Sequence, residues 1–159
     1  MAKDILLCLS GLDAAQFITR AAPHISCDRN LVLLYVIDTR PVEELGYTAR
    51  RTYSTGLSSQ HAALMEAAEQ QTAEAVLNAA GEQCMQEGFN PQNIRREVRR
   101  GRPEQQIISL AQDPDQNVGL VVIGSSYKRA PTIALGPASV GHVARFVVDH
   151  SPCDVLLLR

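Results

Sequence analysis

The residues with the most chemical potential lie late in the chain, in the run Gly124-Ser125-Ser126-Tyr127-Lys128-Arg129, followed by Gly136, Ser139, Gly141 and His142. Glycine lets the backbone come close to a ligand, the N–H groups at a helix start face an anion, and Lys or Arg adds charge. These are the ingredients of a phosphate site. They match neither the G-x-x-x-x-G-K-[ST] loop nor the G-x-G-x-x-G fingerprint, and a glycine after a buried strand can equally serve the turn alone. A second small-residue loop, Ser10-Gly11-Leu12-Asp13, lies near the start of the chain.

Residues for covalent or metal chemistry are poorly placed by comparison. Ser125 and Ser126 sit in no G-x-S-x-G elbow. His142 and His150 are eight residues apart on one expected helix, about 12 Å along its axis at ~1.5 Å per residue, too far to share a metal. Cys8, Cys27, Cys84 and Cys153 are scattered with no C-x-x-C, so they read as inert thiols and not as a zinc or redox set. With no base, nucleophile or metal cluster at working distance, a binding module is expected in preference to an enzyme. Arg95, Arg96, Arg99, Arg100 and Arg102 make the one dense basic cluster, which reads either as an anion patch or as a solvated strand margin balanced by Glu97 and Glu104.

The elements that must hold these loops follow from period and punctuation. Ile5 to Leu9 is an unbroken apolar run, as in a strand buried on both faces. Asp13 is placed to cap a helix from about Ala14 to Ile25. Leu31 to Ile37 is a second buried strand, and residues 38 to about 60, with Pro41, Gly46 and Gly56, read as a long mobile loop that also carries Arg50 and Arg51. An Ala-rich helix is expected from His61 to about Glu87, with Leu64, Ala68, Ala75, Leu77 and Cys84 among its Glu and Gln residues. Gly88 and Pro91 end it. Ile94 to Arg99 is a charged strand suited to a sheet margin. Pro103 opens a helix from about Glu104 to Gln112.

Val118 to Ile123 is the most apolar strand. A helix from about Ser139 to His150 carries Val140, Val143, Phe146 and Val147, Ser151-Pro152 breaks it, and Asp154 to Leu158 is a fifth strand. The alternation of strands and helices predicts an α/β fold: a single doubly wound, five-stranded parallel sheet. Ligands in such a fold bind at the carboxyl ends of the strands. Those ends are Ser10-Gly11, Val36-Ile37-Asp38 and Gly124-Ser125-Ser126.

Composition sets the outer bounds. The chain's 159 residues make one domain, 1–159, able to bury about 70% of the surface its unfolded form exposes. Fifteen Lys and Arg against seventeen Asp and Glu, with no Trp, argue against general nucleic-acid binding. No apolar run approaches the ~20 residues of a membrane span. Met1-Ala2-Lys3-Asp4 leads into the first strand with no cleavage pattern after it, so a cytoplasmic location is expected.

The first strand with its Gly turn, Leu33-Leu34-Tyr35-Val36, Gly101-Arg102-Pro103, Val121-Val122-Ile123-Gly124-Ser125 and the end Ser151-Pro152-Cys153-Asp154-Val155-Leu156 together resemble the universal stress protein family. The resemblance covers nearly the whole chain. It implies an adenine-nucleotide α-hydrolase-like, Rossmann-like three-layer sandwich, a stress-response regulatory role, and ATP, ADP or AMP bound at the strand ends. The implied placement puts adenine near Val36 and Ile123, ribose near Ser10-Gly11, and phosphate along Gly124 to Arg129 and the start of the last helix. It also implies a homodimer through Asp154 to Arg159, an apolar final strand, and a client protein that the residues do not name.

ATP-binding members carry G-x2-G-x9-G-[ST], and this chain departs from it. Gly124 takes the first position, but Tyr127 stands at the second, adding bulk where backbone was to touch ligand. Gly141 aligns with the last Gly, His142 replaces the hydroxyl residue, and the interval is four residues longer than the pattern. In an alternative register Gly136 is the last Gly and Ser139 the hydroxyl. The usual V-D-G-S of the first strand end is Leu9-Ser10-Gly11-Leu12 here, so the acidic group near the nucleoside is absent unless Asp13 replaces it. The alternative reading is a nucleotide-free homodimeric scaffold. A second resemblance, to the S-G-G-x-D-S loop of ATP pyrophosphatases, lacks one Gly and the final Ser.

Overall fold

The computed structural model describes residues 2–11, 13–40, 57–125 and 140–159. Its five strands are β1 (Asp4–Leu9), β2 (Leu31–Asp38), β3 (Ile94–Gly101), β4 (Val118–Gly124) and β5 (Asp154–Leu158). Its α-helices are α1 (Ala14–Ala21), α2 (Leu57–Gln86), α3 (Pro103–Gln112) and α4 (His142–His150). All strand pairs are parallel, in the order β3-β2-β1-β4-β5.

Alternation of side chains across the strands builds two apolar layers. Ile5, Leu7, Leu9, Leu31, Leu33 and Val122 pack beneath α1 and α2. Leu6, Val32, Leu34, Val121 and Ile123 pack beneath α3 and α4. Sequence order runs outward from β1 to β2 and β3, then restarts on the other side with β4 and β5. The reversal places a crevice between the carboxyl ends of β1 and β4. The expected fold class is therefore the one observed.

Several boundaries shift for local reasons. Helix α1 stops at Ala21 and tightens into a 3-10 turn over Ala22–His24, because Pro23 has no N–H to continue the α ladder. Asp13 occupies the N-cap position, yet its side chain makes no capping bond, contrary to expectation. Helix α4 begins at His142 and not near Ser139, since Gly141 has φ of 83°, outside helical space. Ser139 itself and most of the expected 38–60 loop lie outside the described residues.

Helix α2 starts four residues before His61. Its buried positions are Ala73, Val76, Leu77, Ala80 and Cys84, at helical spacing, whereas Leu64 is 70% exposed and Ala68 and Ala75 are exposed. Of the expected apolar positions Leu77 and Cys84 are buried; Leu64 and Ala68 precede the buried part of the helix, and Ala75 is on its outer side between Ala73 and Val76. At the far end Gly88, with φ of 93°, lets Phe89 N–H reach back to Cys84 O at 3.0 Å and bury its ring.

The charged strand β3 is an edge, as its composition predicts. Four of its arginines have local partners. Arg95 bonds Gln116, Arg96 donates to Leu77 O at 3.3 Å, Arg99 pairs with Glu97 at 2.6 Å, and Arg100 lies 3.6 and 3.8 Å from Glu66 and Glu69. The cluster fastens β3 to α2 and its own neighbours, which favours the strand-margin reading over an anion patch.

Two thiols are held protonated by the fold. Burial pushes the Cys84 thiol up to about 12, with Arg96 opposing and Glu87 adding to the shift. Burial, and then the nearby Cys153, push Cys8 up as well.

Two outcomes follow from this packing. In urea unfolding, Leu33→Ala should cost about 2–5 kcal/mol, while Leu64→Ala should change stability by less than about 0.5 kcal/mol. The folded state keeps the Cys84 proton above the ionisation range of an unfolded thiol. Its contribution is therefore complete below about pH 9 and is lost as pH rises toward 12, at up to about 1.4 kcal/mol per unit. Stability measured between pH 8 and 11 should fall less steeply for Cys84→Ala than for the parent, whatever the offset between the two.

Candidate functional site

Three strand ends and two helix starts meet at the carboxyl edge of the sheet. Strand β1 runs out at Leu9 into Ser10 and Gly11, both exposed. A Cβ on Gly11 would lie 3.4 Å from the Tyr35 hydroxyl, so the ring of β2 rests directly beside this turn. Phe17 of α1 approaches Gly124 in the same way, with ring carbons 3.5 and 3.6 Å from where a Cβ would be. A Cβ at either glycine would rest in ordinary van der Waals contact with an aromatic ring. Asp13 lies at the base of this turn, where its carbonyl accepts from Phe17 N–H at 2.9 Å.

Across the crevice, Ser125 extends the sheet by one bond, its N–H donating to Leu158 O at 2.9 Å. That amide is committed to β5, which leaves the Ser125 side chain for any ligand. Val36 and Ile123 lie on the α3/α4 face of the sheet together with Cys8, and Ile123 is in register with Cys8. Gly141 precedes α4, and its carbonyl accepts from Arg145 N–H at 3.2 Å, opening the helix with N–H groups toward the strand ends. Ser126, Lys128, Arg129, Gly136 and Ser139 lie outside the described residues. The structure thus brings together Ser10, Gly11, Asp13, Val36, Ile123, Gly124, Ser125, Gly141 and His142.

The electrostatic centre of the edge is Glu104, in the first turn of α3. It is 5% exposed, and its Oε1 lies 3.8 Å from Arg40 Nη1 and 3.7 Å from His142 Nε2. Its Oε2 has no hydrogen-bond partner. Arg40 is itself oriented by Asp38, through its backbone N–H at 3.0 Å and its Nε at 2.9 Å. The His142 ring is largely exposed and lies 6.4 Å from Phe146. His150, at the other end of α4, stacks on Phe146 at 4.0 Å and meets its carbonyl at 2.8 Å, which fits a helix-end role.

Tyr35, Phe17, Arg40 and Glu104 are site residues that motif spacing passes over. Glu104 carries a readable signal nonetheless. With Ile107, Ile108 and Ala111 it completes an i, i+3, i+4, i+7 stripe, so a carboxylate stands where the helix turns inward. Among the described residues no three His, Cys, Asp or Glu side chains gather to hold a metal, and no helix is long and apolar enough to cross a membrane.

Comparison with known proteins gives the same picture at the level of fold. Universal stress protein UspA from Lactobacillus plantarum is 24% identical, with a TM-score of 0.70 over 99% of this chain and 97% of that one. A universal stress protein in complex with cAMP is 16% identical, with a TM-score of 0.62 over 99% and 96%. The universal stress protein from Archaeoglobus fulgidus in complex with dAMP is 14% identical, with a TM-score of 0.55 over 99% and 98%. No curated protein matches the chain. The family model of universal stress proteins matches residues 1–159, and the chain therefore belongs to the universal stress protein family.

Proposed function

We propose that this protein is a cytoplasmic stress-response binding module that takes an adenine nucleotide in the crevice between β1 and β4 and acts as a homodimer. The observation that carries the reading is the convergence at one edge of two glycines at strand ends, Gly11 and Gly124, with the start of α4 behind Gly141. A phosphate needs close backbone and unpaired N–H groups, and a helix start supplies both. The half-buried Val36 and the buried Ile123 offer an apolar surface for a base on the α3/α4 face. Relatives of the same fold solved with cAMP and with dAMP support the choice of an adenine nucleotide.

The departures from the ATP motif leave the phosphate end with different chemistry. His142 stands where a hydroxyl would hold phosphate, and its imidazole offers a donor of another size and direction. The module is read as non-catalytic, with any ATP hydrolysis slow and incidental. Self-association is assigned to β5, which among the described residues pairs only with β4 and leaves Asp154–Leu158 as a half-buried edge. Such an edge favours pairing across a two-fold axis. A scaffold that has lost its nucleotide while keeping this edge is the competing reading.

Purified protein, once denatured, should release ATP, ADP or AMP detectable by mass spectrometry, and millimolar ATP should raise its melting temperature. Absence of both leaves the scaffold reading. Gly141→Ala places a Cβ at φ 83° and ψ 165°, a region essentially confined to glycine, at a strain of about 1–3 kcal/mol. It should weaken nucleotide binding at least about 10-fold. Light scattering should give twice the 17.3 kDa chain mass; a monomer at micromolar concentration would remove β5 as the interface.

A further inference from the structure

Glu104 is the buried charged residue that the fold takes out of water without meeting its hydrogen-bonding capacity. Among the described residues it is the one polar side chain in the buried class, and its Oε2 is without a partner. Arg40 and His142 stand beyond hydrogen-bond distance, at 3.8 and 3.7 Å from the other oxygen. Arg40 is turned toward Asp38, and His142 is 70% exposed. A buried carboxylate oxygen is normally satisfied, so an open one marks a place where a donor arrives from elsewhere.

Its position says which donor. Glu104 opens α3, Arg40 follows the end of β2, and His142 opens α4, so the carboxylate lies at the strand ends on the α3/α4 face. Val36 and Ile123 occupy that same face. A phosphate oxygen cannot fill Oε2, because acceptor would meet acceptor and anion would meet anion. Phosphate belongs instead with the N–H groups of α4. The donor must come from the nucleoside.

We propose that Glu104 is the specificity residue of the crevice, its Oε2 accepting a hydrogen bond from the nucleoside part of the bound nucleotide, either the adenine exocyclic amine or a ribose hydroxyl. The assignment rests on the nucleotide-binding reading above. It gives the ligand a fixed direction, with the nucleoside toward the start of α3 and the phosphate toward the start of α4. Arg40 and His142, both partly exposed, are the side chains that part to admit it. A site with a buried acceptor rejects a ligand that lacks the matching donor far more strongly than an apolar pocket rejects a missing methyl group.

The test is calorimetric titration of the full chain with AMP, purine riboside monophosphate (hydrogen in place of the amine), 2′-deoxy-AMP and 3′-deoxy-AMP. The parent protein should bind AMP about 10- to 100-fold more tightly than one of the three analogues, and the analogue that loses identifies the donor. Glu104→Gln keeps the volume but removes the charged acceptor, and should bring that ratio to within about 3-fold. If Glu104→Gln does not fold by circular dichroism, Glu104→Asp, which withdraws the acceptor by one methylene, should collapse the ratio in the same way. Equal binding of all four ligands by the parent, or a ratio that survives a folded variant that has merely lost thermal stability, would overturn the assignment and leave nucleotide binding standing. Failure of the parent to bind AMP at all overturns both.

Discussion

Strand β1 is paired in parallel on both sides, with β2 along one edge and β4 along the other, and the remaining architecture depends on that double pairing. A central parallel strand has its backbone groups consumed by its neighbours and its side chains covered by helices on both faces. Leu6 and Leu7, on opposite faces, are both fully buried. Polar backbone can therefore open only where the strands end. The change of winding direction at β1 and β4 then separates the connections and leaves the crevice between them. The location of the candidate site is a consequence of how the sheet is ordered, before any side chain in it is considered.

The same ordering explains how a mostly neutral chain concentrates charge. Both α3 and α4 start at the carboxyl edge, so their positive ends converge there. Glu104 offsets part of that field from within the first turn of α3, and Arg40 and His142 complete a cluster drawn from three separate elements. The arginines of β3 have a different task, tying an exposed edge strand to α2 and to local acceptors. Two groups of basic residues that look alike in the sequence are thus divided by topology into a structural set and a site set.

Much of this was legible in the residues themselves. Unbroken apolar runs mark the four most buried strands, and Ile94-Arg95-Arg96-Glu97 announces an edge by its charge. The Gly11 and Gly124 turns locate the crevice. Helix α2 is less legible, because Ala-rich sequence is helical whether or not anything covers it. Only burial of Ala73, Val76, Leu77 and Ala80 tells where the sheet begins beneath it. Glu104 is half legible: its spacing to Ile107, Ile108 and Ala111 puts it on the inward stripe of α3, but an acidic residue in a first helical turn is also expected on dipole grounds alone, and its contact with Arg40 and His142 depends on the packing of separate elements.

The contact between Tyr35 and the Gly11 turn gives the molecule an optical handle. The chain has no tryptophan and four tyrosines, of which Tyr35 alone is among the described residues. Its phenol packs on the α1/α2 side of the sheet beside the Gly11 turn, with the hydroxyl 3.4 Å from the position of a Gly11 Cβ. Emission from the unaltered protein is consequently phenolic, unmasked by indole, and one emitter stands at the rim of the crevice. A change in the conformation of the Gly11 turn would alter its quantum yield, so the state of that turn can be followed by light with no label attached.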